Sequence, residues 1–371
     1  MDDWKRCLGV FAAAVLLLAT PADARRVKRG GAKNPVRQAA CVAECDTVRN
    51  LIYMIGDGMG LAHVTMLQIA EGYDNPVSFM RAENVALIKS YSRNNRVTDS
   101  AAAGTALATG HKTNNSMLGV LPDSTAVESM MAKAVRRGMA TGLVVTCYLP
   151  HATPGAFYAH QVYRRTLEPI AEQLVESGVD VAFGGGKRYF TARRADGTTL
   201  VDRLRTKGYR VIDTLAAADT IASGKVVGLF ASKHMPYAHK GRGDYLPRAV
   251  GKALEILSND AAERDEGFML VVEGSMIDYV SHRNDSEGIL AEMRDFDRAV
   301  RVAMEYVDAL MPSKSPVKVG LTYKGRTFLP LVFESIGMPL NSPINASGKF
   351  VYLQVPVTLC SLTAIDRNDW L

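Results

Sequence analysis

The chain of 371 residues is long enough for one large α/β domain or two ordinary ones, and its 47% apolar content implies a sizeable core. The formal charge of +6 is modest and is not gathered into one stripe, which argues against nucleic-acid binding. It suits an anionic substrate, although a solvated surface accounts for it equally well.

At the N-terminus, Lys5 and Arg6 precede an apolar run from Leu8 to Ala19, and Ala22-Asp23-Ala24 offers small residues for cleavage. The run of 12 residues is short for a bilayer, which needs about 20. The expectation is a signal peptide over 1–24, a secreted or periplasmic chain and no stable membrane span; an uncleaved anchor is the alternative. Residues 25–49 are polar and basic, with Arg25, Arg26, Lys28 and Arg29 at their head, and read as a flexible leading segment. Cys41 and Cys45 are spaced to pair in an oxidising compartment or to stand as two free thiols.

From Asn50 a βα rhythm begins. Apolar runs at Leu51–Ile55, Val85–Ile88, Ala140–Thr146, Val179–Phe183, Val226–Phe230 and Phe268–Val272 read as buried strands. Helical patterns at Ala126–Arg137, Thr166–Ser177, Arg248–Leu257 and Glu287–Leu310 separate them. The alternation predicts an α/β fold, doubly wound, with a largely parallel sheet covered by helices on both faces. Chemistry in such sheets sits at the carboxyl ends of the strands.

Four segments at those ends carry reactive residues. Asp57, in Gly56-Asp57-Gly58-Met59-Gly60, is a carboxylate flanked by glycines, suited to a hard cation and equally to a plain turn. In Asp99-Ser100-Ala101-Ala102-Ala103-Gly104, the small residues favour a helix whose first turn starts at Ser100, where free N–H groups stabilise an anion. Such a serine could attack phosphorus, or simply cap the helix. In His151-Ala152-Thr153-Pro154, Thr153 offers a hydroxyl, and Arg164 offers a fork matching two phosphate oxygens or a surface ion pair. Glu273, Asp278 and His282 stand within ten residues beyond a buried strand. Their spacing does not fit one helix face and predicts a split over a strand end, a loop and a helix start.

Together these segments resemble the alkaline phosphatase family, over Asn50–Gly60, Val97–Thr113, Gly142–Arg164 and Gly267–Val300 in the family's order. The resemblance implies hydrolysis of phosphate monoesters through a phosphoserine at Ser100, with inorganic phosphate as product and Arg164 gripping the phosphate oxygens. It implies magnesium held by Asp57, Thr153 and Glu273, and two zinc sites. One zinc takes Asp57 and Ser100, the other Asp278 and His282, while His151 and Asp99 stand one layer behind. A homodimer is compatible with the resemblance. Sulfatases of the same superfamily need a Cys-x-Pro-x-Arg nucleophile segment, which is not found.

The family pattern continues with Asp-His-Glu-Thr-Gly-Gly and a later His-Thr-Gly, and neither occurs here. The last of the seven histidines is His282, and the aspartates after Val300 are Asp308, Asp366 and Asp369. Both zinc sites are therefore expected to be incomplete, and the magnesium set complete. The expected alkaline-phosphatase-like domain is 50–311. Residues 312–371 read as a divergent tail from a shifted frame or truncated gene, and the alternative function is an inactive remnant that binds magnesium and phosphate.

Overall fold

The structure, a computed structural model, describes residues 49–75, 77–82 and 85–310, and the backbone of strands at 13–18, 319–323, 326–336 and 357–361. The basic run at 25–29 and Cys7, Cys41 and Cys45 lie outside the described residues. Two compact units divide the chain, Met1–Tyr306 and Val307–Leu371.

The first unit is built on a seven-stranded sheet in the order β1-β2-β7-β3-β4-β6-β5. These strands are β1 (Ala13–Leu18), β2 (Leu51–Gly56), β3 (Ala140–Tyr148), β4 (Val181–Gly185), β5 (Arg210–Ile212), β6 (Val226–Ala231) and β7 (Phe268–Gly274). The six from β2 onward run parallel, and β1, drawn from the predicted signal segment, pairs antiparallel with β2. The second unit holds a three-stranded antiparallel sheet of β8 (Val319–Tyr323), β9 (Arg326–Ile336) and β10 (Val357–Ser361).

Continuous apolar runs in β2, β3 and β7 require burial on both faces, and helices supply it. On one face Tyr53, Ile55, Leu143, Val145 and Val271 join a core with α2 (Ser100–Thr109), α3 (Met130–Arg136), α4 (Ala152–Gly155), α5 (Leu167–Glu176) and α7 (Leu200–Thr206). On the other, Gly142 leaves room for Leu257 of α8 (Tyr245–Arg264). Gly274 likewise accepts Phe296 of α10 (Ser286–Leu310). The remaining helices are α1 (Leu61–Glu71), α6 (Lys187–Thr191) and α9 (Met276–Ser281).

Three sequence expectations are corrected. Val85–Ile88 is an unpaired, exposed stretch, with Val85 87% and Leu87 83% accessible, because apolarity alone cannot supply a neighbouring strand. Helix α3 begins at Met130, since a bridge between Val120 and Ala126 holds the preceding residues and Ser129 caps the helix. Helix α8 starts three residues before Arg248, because Pro247 is tolerated in a first turn.

Candidate metal and anion site

Strands β2, β7 and β3 are neighbours in register, Gly56 beside Gly274 and Val145 beside Glu273. Their carboxyl ends therefore bring Asp57, Glu273 and the 147–153 segment to one edge. Asp99 caps α2 by accepting from the Ala102 N–H at 2.9 Å, which leaves Ser100 as the first helical residue. Ser100 Oγ donates to Asp57 Oδ2 at 3.1 Å and lies 3.3 Å from Oδ1. Thr153 Oγ1 reaches the same Oδ2 at 3.4 Å.

Arg164 is held from two sides. Its Nη1 pairs with Asp99 Oδ2 at 3.2 Å, and Nη2 lies 3.3 Å from His151 Nε2. A cavity of about 260 Å³ is lined by His151, Arg164, Asp278, Tyr279, His282 and Arg283. Asp278 and His282 lie one turn apart, Nε2 3.4 Å from Oδ1, with Asp278 in α9 and His282 at its end. Glu273 at the end of β7 is thus divided from Asp278 and His282 on α9, as expected, except that no loop of any length intervenes, because α9 starts directly after the β7 turn. Gly58 is required beside it: with φ +65°, a Cβ there would lie 2.7 Å from Asp278 Oδ1.

The electrostatics are those of crowded acids. Burial, then the Asp278 carboxylate, raises Asp57 to about 7, against Arg164 and the Ser100 and Thr153 hydrogen bonds. Burial, then Asp57, pushes Glu273 well above the usual carboxylate range. Burial also raises Asp278, opposed by His282, Arg164 and His63. Burial, then Arg164, lowers His151 to about 3, so its ring is neutral near pH 7. Glu273 Oε1 and His151 Nδ1 are buried without a hydrogen-bond partner.

Acids crowded against desolvation, with an orphaned carboxylate oxygen, fit a cation's binding set. Asp57, Thr153 and Glu273 supply oxygen donors of the kind magnesium takes. For zinc, Asp57 with Ser100 and Asp278 with His282 give two donors each, short of the usual three or four. All nine residues singled out from the sequence lie at this edge.

Sequence reasoning missed Cys147, whose Sγ lies 3.5 Å from Glu273 Oε2. Its signal was its place in β3, two residues beyond the partner of Glu273. It also missed the aromatic walls, where His151 meets Tyr148 at 5.1 Å and Tyr279 at 6.0 Å between ring centres. His63 was missed too; its Nδ1 accepts from the Gly60 N–H and its Nε2 lies 2.9 Å from Ser281 Oγ.

Fold and sheet edge together define a cation-binding α/β protein with a serine at a helix head. The chain belongs to the alkaline phosphatase family, whose sequence profile matches residues 48–311. It is 34% identical to alkaline phosphatase 4 of Bacillus subtilis, covering 70% of this chain and 58% of the relative. With alkaline phosphatase of Escherichia coli K12 the identity is 31%, over 70% and 66%. The chain thus spans 58% and 66% of the length of these two relatives.

Among solved structures, alkaline phosphatase from the Antarctic bacterium TAB5 superposes with a TM-score of 0.66 at 31% identity, over 84% of this chain and 87% of that one. A cold-active alkaline phosphatase from Shewanella gives 0.64 at 36%, over 70% and 64%. A mutant of the TAB5 protein, at 30% identity and a TM-score of 0.65 over the same shares, carries magnesium in a site designated M3.

Proposed function

We propose that this chain hydrolyses phosphate monoesters through a phosphoserine at Ser100. The observation that carries the reading is Ser100 itself: a hydroxyl at the first position of α2, hydrogen-bonded to Asp57 at 3.1 Å. Asp57 Oδ2 holds the hydroxyl hydrogen, which leaves a serine lone pair free for phosphorus. The helix N-terminus and Arg164 favour the phosphate oxygens. Ser100 Oγ bonds to phosphorus as the ester P–O bond breaks, and the alcohol leaves with a proton. Water then displaces Ser100 and releases inorganic phosphate.

Asp57, Thr153 and Glu273 would hold magnesium; Asp57 with Ser100, and Asp278 with His282, would contribute to two zinc sites. Bound metals would supply Lewis acidity to the serine and leaving oxygens. The two-donor zinc positions favour a second reading, in which the chain binds magnesium and phosphate with very low turnover. Hydrolysis of an aryl phosphate, followed with and without added magnesium and zinc, separates the two. Trapping of labelled phosphoserine with the purified chain tests the covalent route.

Export is proposed on the residues of 1–24, and N-terminal sequencing of the mature protein checks it. A homodimer is proposed on the resemblance alone, and light scattering of the purified chain tests it.

A further inference from the structure

We propose that Lys240, Arg283 and Tyr237 form a second anion subsite, which selects phosphate monoesters whose alcohol part carries a further negative group such as a carboxylate. The inference rests on the reading of Arg164 as the phosphate grip and names the substrate class that the same cavity favours.

Tyr237 leads into the short turn Ala238–Lys240, and Arg283 stands just past the end of α9. The Tyr237 side chain packs with Met276 and Val280 of α9, so its ring is fixed against the element that leads to Arg283. The Arg283 guanidinium lies 5.2 Å from the centre of that ring and Lys240 Nζ 5.9 Å from it. The ring thus draws two cations to one place. Glu292 pins the segment by accepting the Ala238 N–H at 2.8 Å, and its charge is taken by Arg242. Asp285, two positions beyond Arg283, faces His239 Nε2 at 3.5 Å. No carboxylate pairs with Lys240 or Arg283 among the described residues. By contrast Arg294, Arg298 and Arg301 of the following helix α10 each hold one.

A second, independent observation points to a ligand. Tyr237 Oη and His239 Nδ1 are buried without a hydrogen-bond partner, and Tyr237 is only 8% exposed. A buried hydroxyl left unpaired carries a desolvation cost that an incoming oxygen removes. Two unpaired cations beside an unsatisfied hydroxyl are complementary to an oxyanion.

Arg283 also lines the cavity of about 260 Å³ that Arg164 lines. One small molecule can therefore meet both arginines, its phosphate at Arg164 and its second anion at Arg283. The volume lies below the roughly 300–1,000 Å³ of pockets for drug-sized ligands, which suits a short alcohol part. Arg164 and the head of α2 already serve the phosphate oxygens, which leaves Arg283 and Lys240 to the rest of the substrate.

Calorimetric binding of ethyl phosphate and of phosphoglycolate to the magnesium-loaded full chain provides the test. The two esters match in length and differ by a terminal carboxylate. Phosphoglycolate should bind at least about tenfold more tightly, as one charge-assisted contact provides. Lys240 and Arg283 are both exposed, so neither Lys240→Ala nor Arg283→Ala threatens the fold. Each should bring the ratio of the two affinities toward one, whereas Arg283→Lys should keep most of it. Equal affinities for the two esters, or a preference that survives both alanine variants, would overturn the inference while the phosphate reading stands. If neither ester binds, the phosphate reading fails and this subsite with it.

Discussion

Ser100 Oγ and Asp57 Oδ2 stand 3.1 Å apart although 43 positions separate them in sequence, because the head of α2 meets the carboxyl end of β2. Asp99, not Ser100, caps that helix. Ser100→Ala should therefore abolish phosphoserine formation and phosphatase turnover while costing about 1 kcal/mol of stability, the net worth of one buried hydrogen bond. Acid quenching with labelled phosphate reads the first effect and urea unfolding the second. Substantial turnover in a well-folded variant would mean that water attacks phosphorus directly.

Arg164→Ala should weaken inorganic phosphate binding more than it lowers turnover, since the fork grips oxygens in ground and transition states alike. Loss of a charged, partly buried contact is worth roughly 1.5–3 kcal/mol, or about ten- to a hundredfold in the inhibition constant. The Arg164 side chain is 22% exposed, which favours the lower end. An unchanged inhibition constant would remove Arg164 from the site.

The residues on strand ends were legible because each follows an apolar run, and the parallel sheet gathers such ends at one edge. Those runs brought Asp57, Glu273 and Thr153 to that edge, while their reading as one magnesium set came from the resemblance to the family. The division of Glu273 from Asp278 and His282 between strand and helix was legible in their spacing, whereas the lack of a loop between them was not, since it depends on α9 starting immediately after β7. Cys147 meets Glu273, and His151 meets Tyr279, between segments more than a hundred residues apart, and no local pattern announces those contacts. Val85–Ile88 shows the converse failure: a strand-like sequence is a strand only where a neighbour exists to pair with it.

Arg242 lies buried between Glu292 and Asp295, and Glu292 also accepts the Ala238 N–H at 2.8 Å. This network ties the segment bearing Tyr237, which meets His234 and so Tyr279 of the cavity wall, to α10. Arg242→Ala leaves buried Glu292 without its cation and Asp295 with only the half-exposed Arg298, and should cost about 3–5 kcal/mol. A fall in the urea midpoint, with the slope unchanged, is the expected result. A variant as stable as the parent would show that solvent replaces the guanidinium freely.

Asp57 gives a pH signature in the metal-free protein. Its folded pKa is raised from 3.8 to about 7, so folding favours the protonated acid. Stability from that group is fully present below the unfolded value and is lost as pH rises through the folded one. Asp57→Asn removes the ionisation and keeps an acceptor for Ser100. The variant should match the parent near pH 4 and exceed it increasingly up to about pH 7. Each tenfold difference in proton affinity between the folded and unfolded chain contributes at most about 1.4 kcal/mol to that gap. Excess magnesium should invert the order, because the parent then offers the cation a second carboxylate beside Glu273. Denaturation midpoints at several pH values, with and without magnesium, measure both signs.

Metal uptake separates an active enzyme from a binding remnant. Asp57, Thr153 and Glu273 give one oxygen set, whereas each proposed zinc position has two donors among the described residues. An ion held by two donors dissociates far more readily than one held by three or four. Magnesium should therefore bind and raise the thermal midpoint. Two tightly held zinc ions should be missing after dialysis. Turnover of an aryl phosphate should stay very low even in excess zinc, because the serine and leaving oxygens lack firmly held Lewis acids. Elemental analysis of the dialysed protein, run beside the assay, decides the matter. Two or more retained zinc ions with rapid turnover would mean that residues beyond 310, or a second copy of the chain, complete the coordination.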